Sequence, residues 1–174
     1  MWKNKALFLD RDGVINKDHG YVFQKEKFDF IDGIFDFVRE FKKRDFLVFV
    51  ITNQSGIARG YYSEKDFRVI SDFMQDEFSK RDIKIDKVYH CPCHENYPNL
   101  SLKSDEVCKC RKPNPYMLFK AQDEFDISLR ESILIGDKNS DIEAGKTAGL
   151  KLNYLFLENE EKSLNFDKIW KLYI

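Results

Sequence analysis

The sequence predicts an α/β fold in which a mostly parallel sheet carries helices on both faces. Five runs of strand length are rich in apolar, β-branched and aromatic residues, and most are separated by segments with helical periodicity. Because these runs are almost continuously apolar, both faces of each strand should be buried, as in parallel sheets. The chain has 174 residues, 43% of them hydrophobic, so one domain over residues 1–174 is predicted.

The five predicted strands are separated by connections that can hold crossover helices. They are Lys5–Leu9, Phe46–Thr52, Lys87–Cys91, Ser132–Gly136 and Leu152–Leu157. Right-handed crossovers that run outward in both directions from the first strand would place the first and fourth strands side by side. Their carboxyl ends would then meet at one edge of the sheet, which is where open α/β sheets bind ligands.

Four helices are predicted from apolar stripes at three- and four-residue spacing and from residues that favour helix ends. The stripes of the first two helices are Ile34, Phe37, Val38 and Phe41, and Phe67, Ile70, Met74 and Phe78. Ser63 is the expected N-cap of the second helix. Asn114 and Pro115 are expected to cap and begin the third helix. Gly149 is expected to end a short fourth helix over Asp141–Ala148.

Polar side chains follow the predicted strands and the cysteine-containing segment. They are Asp10 and Asp12, the segment Thr52–Gly56, the segment Arg111–Pro113, and Asp137 with Asp141. Taken singly, each has a plainer explanation: Asp141 as a helix cap, Asn53 as a turn residue, Lys112 as a solvated lysine. Acids brought together from two strand ends would repel unless a cation lies among them, and such oxygen-rich clusters favour Mg²⁺. A nearby lysine would complete a phosphate site.

The four motifs resemble those of the haloacid dehalogenase (HAD) superfamily. The matching segments read FLDRDGVIN, VITNQSGIARG, CRKPNP and LIGDKNSDIEAG, and they extend over nearly the whole chain. The resemblance implies a Rossmann-like fold and a phosphatase in which Asp10 is the nucleophile that forms an aspartyl-phosphate. Asp12 would protonate the leaving oxygen and then deprotonate the attacking water. Mg²⁺ would bind the carboxylates of Asp10 and Asp137 and the backbone carbonyl of Asp12.

The same resemblance implies how the phosphoryl group is held and released. Thr52 or Asn53, together with Lys112, would hold its oxygens. Asp at position 12, where the superfamily's transport ATPases have Thr, implies transfer of the phosphoryl group to water. Neither the segment after Asp12 nor the one after Gly56 has a large insertion, so no large cap domain is expected. The cleft would be closed mainly by residues 17–25 and by the loop that holds the cysteines.

The four cysteines are Cys91, Cys93, Cys108 and Cys110, and the rest of the chain has none. In a reducing compartment this clustering indicates a metal site rather than disulfides. The segment HCPCHENYPNLSLKSDEVCKCRKP resembles the zinc loop of compact HAD phosphatases, and we call residues 90–112 the cysteine loop. The resemblance implies a structural zinc ion bound by the four thiolates, with His94 as a less favoured ligand. The alternatives are free thiols or disulfides.

The resemblance also narrows the expected substrate. The segment NQSGIARG and the length of the cysteine loop resemble the phosphatases that remove the 7-phosphate of D-glycero-D-manno-heptose 1,7-bisphosphate, in nucleotide-activated heptose synthesis for lipopolysaccharide. Phosphatases of histidinol phosphate are the alternative. Arg59, Arg111 and Lys138 are the expected cations for a second phosphate. A non-catalytic, zinc-stabilised binding module is a remote alternative that the intact motifs oppose.

Composition limits the other partners. The formal net charge is −1 and the sequence pI is about 6.3, so no strong positive field would attract nucleic acid or anionic lipid. The longest apolar run, Phe46–Ile51, is too short to cross a membrane, and charged residues interrupt any signal-peptide pattern near the N-terminus. A cytoplasmic monomer that acts on a small phosphorylated sugar is expected.

Overall fold

The computed structural model describes residues 2–97 and 108–174, and its centre is a five-stranded parallel sheet in the order β3-β2-β1-β4-β5. The strands are β1 (Lys5–Leu9), β2 (Phe46–Asn53), β3 (Lys87–Cys91), β4 (Ile133–Gly136) and β5 (Leu152–Leu155). All four pairings are parallel, and β1 lies between β2 and β4. The predicted α/β fold and the predicted adjacency of the first and fourth strands are therefore confirmed.

Six α-helices connect or flank the strands within residues 2–97 and 108–174. They are α1 (Ile34–Lys42), α2 (Glu64–Ser79), α3 (Tyr116–Phe125), α4 (Asn139–Ala148), α5 (Glu158–Glu161) and α6 (Phe166–Tyr173). Two short 3-10 turns cover Lys25–Lys27 and Leu129–Glu131. Among the described residues, no helix is both long and apolar enough to cross a membrane.

The sheet separates two hydrophobic cores, because successive side chains of a strand point to opposite faces. Leu7 and Leu9 of β1 face the core that includes the buried sides of α1, α2 and α6. Ala6 and Phe8 face the second core, with Phe49 and the buried residues of α3 and α4. Burying one such Leu or Phe side chain contributes about 1.5–3 kcal/mol, so both faces of β1 stabilise the fold.

The structure corrects several element ends predicted from the sequence. Ser63 is the N-cap of α2 as predicted, and its hydroxyl accepts from the backbone N–H of Asp66. Pro115, predicted as the first residue of the third helix, is instead its N-cap. The reason is the Asn114 side chain, which accepts from the Tyr116 backbone N–H in a turn before the helix. The fourth helix begins two residues earlier than predicted, and the fifth strand ends at Leu155 rather than Leu157.

Helix α6 is not predicted above, although the sequence contains its signal. Its apolar residues lie at i, i+3, i+4 and i+7, and they are Phe166, Ile169, Trp170 and Tyr173. The Asn165 side chain caps the helix by accepting from the Lys168 backbone N–H. The Trp170 ring packs against Phe41 and Phe46, so this helix covers one end of the first core.

Among the described residues, the connections at the carboxyl edge of the sheet contain no large cap domain, as predicted. Residues 10–33 link β1 to α1 and contain one 3-10 turn, and residues 54–63 link β2 to α2. Most of the long segment in the cysteine loop, residues 98–107, lies outside the described residues. Both ends of that loop are described and lie near the site below.

Candidate active site

Asp10 lies directly beyond β1, at the centre of the carboxyl edge of the sheet. Its backbone N–H donates to the Ile135 carbonyl of β4 at 3.0 Å, so the neighbouring strand fixes its position. The residue is only 6% exposed. Its Oδ1 accepts from the Arg11 backbone N–H at 2.8 Å and from Lys112 Nζ at 3.0 Å. The carboxylate is thus held in place by the backbone and by a buried cation.

Lys112 is buried between two carboxylates. Its Nζ lies 3.0 Å from Asp10 Oδ1 and 2.6 Å from Asp141 Oδ1, and it donates to the Ile51 carbonyl at 2.8 Å. These contacts match the three donors of an ammonium group. Burial acts to lower the pKa of Lys112, but the two carboxylates outweigh it and hold that pKa above its ordinary value. The lysine therefore holds its proton, and its burial contradicts the plain reading of a solvated surface lysine.

Asp10, Asp137 and Asp141 form an acidic cluster whose ligand oxygens all lie within 4.8 Å of one another. Burial raises the pKa of Asp10, an effect that Lys112 opposes and that Asp141 and Asp137 reinforce. Burial likewise raises the pKa of Asp137. Three carboxylates facing one buried ammonium leave an excess of negative charge that a divalent cation would offset.

Asp137 supplies two observations that fit a metal ligand. Its Oδ1 is buried and has no hydrogen-bond partner among the described residues. Its Oδ2 lies 2.3 Å from where a Cβ on Gly13 would be, so only glycine leaves room for this carboxylate. Gly13 also has a φ of +88°, a conformation that glycine adopts without strain. A buried oxygen without a partner, next to two other carboxylates, suits an oxygen-preferring cation such as Mg²⁺.

Asp141 has two roles. It is not the N-cap of α4, which is Lys138, but lies in the first turn of that helix. From there its Oδ2 accepts from the backbone N–H groups of Asp137 and Lys138, which precede the helix. Its Oδ1 also forms the 2.6 Å contact with Lys112. The residue therefore ties the fourth motif to the third.

The Asp12 carboxylate is not one of the clustered carboxylates, and its oxygens accept from three side chains. Arg11 Nη2 donates to both oxygens, at 2.8 Å to Oδ1 and 3.0 Å to Oδ2, and Asn16 Nδ2 donates to Oδ1 at 3.0 Å. Gln54 Nε2 donates to Oδ2 at 3.1 Å. Asp12 nevertheless lines the same cleft as Lys112 and Lys138. The structure thus separates its side chain from the group of carboxylates that could hold a metal.

Thr52 and Asn53 lie at the end of β2, and both have partners. The Thr52 hydroxyl is buried and accepts from Gln54 Nε2 at 2.8 Å. The Asn53 side chain accepts from the Lys112 backbone N–H at 3.0 Å and donates to the Lys112 carbonyl at 3.1 Å. Asn53 therefore clamps the backbone of the buried lysine and also lines the cleft.

Two of the three cations predicted to bind a second phosphate line this cleft. Arg111 and Lys138 lie along it with Tyr21, and Lys138 Nζ contacts Asp18 Oδ2 at 3.2 Å. Arg59 is not among the residues that line the described part of the cleft. Its guanidinium instead donates to Tyr97 Oη at 2.8 Å and contacts His94 Nε2 at 3.0 Å.

The cysteine loop brings its four sulfur atoms into one cluster. All four Sγ atoms lie within 4.8 Å of one another. Cys91 is within bonding contact of Cys110, and Cys93 of Cys108. Sulfurs of different pairs are also close, at 3.4 Å for Cys91–Cys108 and 3.7 Å for Cys93–Cys110. Two separate disulfides require only pairwise proximity, whereas a shared cluster of four is the arrangement of a Cys₄ metal site.

His94 does not join this cluster, although the sequence left it as a possible ligand. Its Nε2 contacts Arg59, and its Nδ1 accepts from the Asn96 backbone N–H at 3.2 Å. Burial and the nearby Arg59 and Arg111 guanidinium groups lower the pKa of His94. Within the described residues, the metal-ligating group in this loop consists of the cysteines alone.

Comparisons with known proteins assign the chain to a family. A HAD-hydrolase-like family model matches residues 109–155. The chain is 54% identical over 160 residues to D-glycero-alpha-D-manno-heptose-1,7-bisphosphate 7-phosphatase from Campylobacter jejuni, covering 92% of this chain and 86% of that protein. The chain belongs to the heptose-1,7-bisphosphate 7-phosphatase family of HAD-like hydrolases. The resemblance predicted from the four motifs is thereby confirmed.

Two further members of the family support this assignment. The D-glycero-beta-D-manno-heptose-1,7-bisphosphate 7-phosphatase of Escherichia coli is 45% identical over 146 residues, covering 83% of this chain and 75% of that protein. The solved structure of D,D-heptose 1,7-bisphosphate phosphatase from B. bronchiseptica, in complex with magnesium and phosphate, superposes with a TM-score of 0.74. That pair is 29% identical, covering 87% of this chain and 79% of the other.

Gln54 is a site residue that the sequence analysis did not single out. It contacts two predicted site residues, Asp12 and Thr52. The available signal was its spacing, because residues two apart at a strand end point to the same side of the sheet. That signal places Gln54 on the side of Thr52 but says nothing about Asp12, which comes from another strand.

Proposed function

We propose that this protein is a Mg²⁺-dependent phosphatase that removes the 7-phosphate of D-glycero-D-manno-heptose 1,7-bisphosphate through an aspartyl-phosphate at Asp10. The observation that carries the proposal is the burial of Asp10 between Lys112 and the carboxylates of Asp137 and Asp141. The heptose substrate follows from the names of the family members. Histidinol phosphate, the alternative substrate, is not favoured because none of those names refers to it.

The first chemical step transfers the phosphoryl group to the protein. An Asp10 carboxylate oxygen attacks the phosphorus of the 7-phosphate, and the bond from phosphorus to the sugar oxygen breaks. Asp12 gives its proton to the departing sugar oxygen, which leaves as an alcohol. The Lys112 ammonium and either the Thr52 hydroxyl or the Asn53 amide hold the oxygens of the transferring group. Before the transfer Lys112 holds its proton, because the Asp10 and Asp141 carboxylates stabilise its charge.

The second step releases phosphate. Asp12, now ionised, takes a proton from a water molecule, and the resulting hydroxide attacks the phosphorus. The bond from phosphorus to the Asp10 oxygen breaks, inorganic phosphate leaves, and both carboxyl groups return to their starting state. When bound, Mg²⁺ would neutralise the phosphate charge. We propose the carboxylates of Asp10 and Asp137 and the backbone carbonyl of Asp12 as the residues that hold it.

We propose that the cysteine loop binds one structural Zn²⁺ through the four thiolates. The shared sulfur cluster supports this ligand set, and His94 is engaged with Arg59. Cys110 precedes Arg111 and Lys112 in the chain, so a closed metal site would fix where both cations lie. The metal thus acts on catalysis by holding the end of the loop rather than by contact with the substrate.

We propose that the α-anomer of the sugar is the preferred substrate. The Campylobacter jejuni relative, at 54% identity, is named for the α-anomer, whereas the Escherichia coli relative, at 45%, is named for the β-anomer. Arg111 and Lys138 line the cleft and would contact the 1-phosphate, whose direction differs between the anomers.

We further propose that the protein is a cytoplasmic monomer. The open cleft needs no second subunit to complete it, and reduced thiolates need a reducing compartment.

A phosphate-release assay tests this function. Purified protein with Mg²⁺ is given the α- and β-heptose 1,7-bisphosphates, fructose 1,6-bisphosphate and histidinol phosphate. We expect the highest kcat/KM for a heptose bisphosphate, with the α-anomer ahead, and loss of turnover with a chelator. A higher kcat/KM for histidinol phosphate would reject the proposed substrate, and turnover that survives a chelator would reject the magnesium dependence.

A further inference from the structure

A single buried amide connects two groups of the proposed reaction. Gln54 follows β2 and is 2% exposed. Its Nε2 donates to Asp12 Oδ2 at 3.1 Å and to Thr52 Oγ1 at 2.8 Å. Its Oε1 accepts from the Tyr62 hydroxyl. One side chain therefore bridges the proposed general acid and the hydroxyl proposed to hold the phosphoryl group.

The chemistry of its partners fixes which way this amide faces. Both oxygens of Asp12 already accept from Arg11 or Asn16, so the Asp12 side of Gln54 presents the NH₂ group. A reversed amide would direct Oε1 at the Asp12 carboxylate and leave two acceptors facing each other. Tyr62 supports the observed orientation by donating to Oε1. Burial raises the pKa of Tyr62, so its phenol keeps the proton that it donates.

The amide also determines where the Thr52 hydroxyl directs its proton. A threonine hydroxyl has one donor and two acceptor positions. Gln54 Nε2 occupies an acceptor position, so the Thr52 O–H is left to donate to another group. A phosphoryl oxygen in the cleft is such an acceptor. The same NH₂ group that contacts Asp12 thus prepares Thr52 to bind phosphate.

Tyr62 is itself held firmly. Its ring stacks on Phe23, with ring centroids 5.1 Å apart and planes 18° apart. Its Cε1 lies 2.1 Å from where a Cβ on Gly56 would be, so the ring occupies space that only a glycine leaves open. The phenol is therefore a fixed support for the amide.

We propose that Gln54, held by Tyr62, is a positioning residue that orients Asp12 for proton transfer and Thr52 for phosphoryl binding. The proposal rests on the proposed function, because that function gives Asp12 the proton transfers. It adds a third group to the contacts of Asp12, whose other partners are Arg11 and Asn16.

The test compares two leaving groups in the variant Gln54→Met, which keeps the side-chain length and removes the donors. A sugar alkoxide must be protonated as it leaves, whereas p-nitrophenolate leaves without a proton. The quantity compared is kcat/KM, because it depends only on the steps up to and including formation of the phosphoenzyme and not on its hydrolysis. We expect kcat/KM for the heptose bisphosphate to fall about 100-fold and that for p-nitrophenyl phosphate to fall about 10-fold or less.

Two further variants separate the two contacts of the amide. Thr52→Val removes the phosphate-holding hydroxyl, so it should reduce kcat/KM for both substrates by the same factor. Tyr62→Phe keeps the ring and removes the support for the amide. As in Gln54→Met, kcat/KM should fall more for the heptose bisphosphate than for p-nitrophenyl phosphate. Both decreases should be smaller than in Gln54→Met. If Gln54→Met does not fold, Tyr62→Phe carries the same comparison.

Equal losses for both substrates in Gln54→Met and in Tyr62→Phe would overturn the positioning of Asp12, because loss of the Thr52 contact or a general weakening of the fold affects both reactions alike. Unchanged kcat/KM for p-nitrophenyl phosphate in Gln54→Met would overturn the positioning of Thr52. Failure of the proposed function gives a different result, in which the wild-type protein cleaves p-nitrophenyl phosphate but not the heptose bisphosphate. Fructose 1,6-bisphosphate, which also has an alkoxide leaving group, then replaces the heptose substrate, and the positioning role is still tested.

Discussion

Lys112 Nζ lies 3.0 Å from the Oδ1 atom of Asp10, although the two residues are 102 positions apart in the chain. Both side chains are almost completely buried, at 2% and 8% exposure. The cysteine loop delivers the lysine and the central strand delivers the aspartate. The pair therefore joins the cysteine loop to the central strand, the two parts of the molecule on which the proposed reaction depends.

Asp10→Asn should abolish turnover and leave the fold intact. An amide of the same size cannot attack phosphorus, so no phosphoenzyme forms. The measurements are phosphate release and the circular-dichroism melting curve. Asp29→Asn, a change outside the cleft, is the control and should retain activity. Hydrolysis that persists in Asp10→Asn at more than a trace would eliminate the covalent route.

Lys112→Met should destabilise the protein and remove activity. Loss of the ammonium leaves Asp10 and Asp141 buried without their cation, and breaking such a pair costs about 3 kcal/mol or more. Urea unfolding in the absence of Mg²⁺ measures the change. Lys65→Met, at an exposed position of α2, should leave the free energy of unfolding unchanged. A stable and active Lys112→Met protein would show that the buried pair has neither role.

Cys108→Ser should lose zinc and lower stability. Three thiolates and a hydroxyl bind Zn²⁺ much less well than four thiolates, and structural zinc contributes directly to folding. Elemental analysis gives the metal content of the purified protein. Lys109→Ala changes the exposed neighbour and should retain one zinc per chain. Unchanged zinc in Cys108→Ser would reject the four-cysteine ligand set.

Arg111→Gln should impair hydrolysis of the heptose bisphosphate more than that of p-nitrophenyl phosphate. The guanidinium lines the cleft and would contact only the phosphate that does not react. Burial and the neighbouring Arg59 lower the pKa of Arg111, so an anion there would relieve the repulsion between the two guanidinium groups. The readout is the ratio of kcat/KM values. Losses of the same factor for both substrates would argue against a role in specificity.

Asp66→Asn should reduce the pH dependence of stability at acid pH. Hydrogen bonds from the backbone N–H and hydroxyl of Ser63 lower the pKa of Asp66. A lowered folded-state pKa gives stability that is present above the unfolded-state pKa and is lost as the pH falls through the folded-state value. Urea unfolding from neutral to acid pH should show this loss in the wild type and a smaller loss in the variant. The same slope in both proteins would mean that this cap is not coupled to pH.

Much of the fold is predictable from the sequence because apolar runs mark the strands directly. The ends of β1 and β3 match the predicted ranges, and Ser63 caps α2 as expected. The predicted start of α3 was wrong because the Asn114 side chain accepts from the Tyr116 backbone N–H before the helix. The predicted end of β5 was two residues too late. Helix α6 could also have been predicted from the sequence, because its apolar residues form a regular helical stripe: Phe166, Ile169, Trp170 and Tyr173.

The candidate site is less predictable in its contacts than in its members. The motifs name Asp10, Lys112 and Asp137, and the structure brings all three to one edge of the sheet. Which carboxylate contacts the lysine, and that Gln54 reaches Asp12, depend on how separate strands are placed in space. No local pattern contains that information.

The central place of β1 has a consequence for motion. Its backbone is hydrogen-bonded to a strand on each side, and its side chains are buried in both cores. The amide protons of such a segment exchange with solvent only when the whole domain opens. We therefore expect Asp10, the proposed nucleophile, to be attached to the last element to lose protection, and fluctuations that expose the outer strands or helix ends should leave its carboxylate in place.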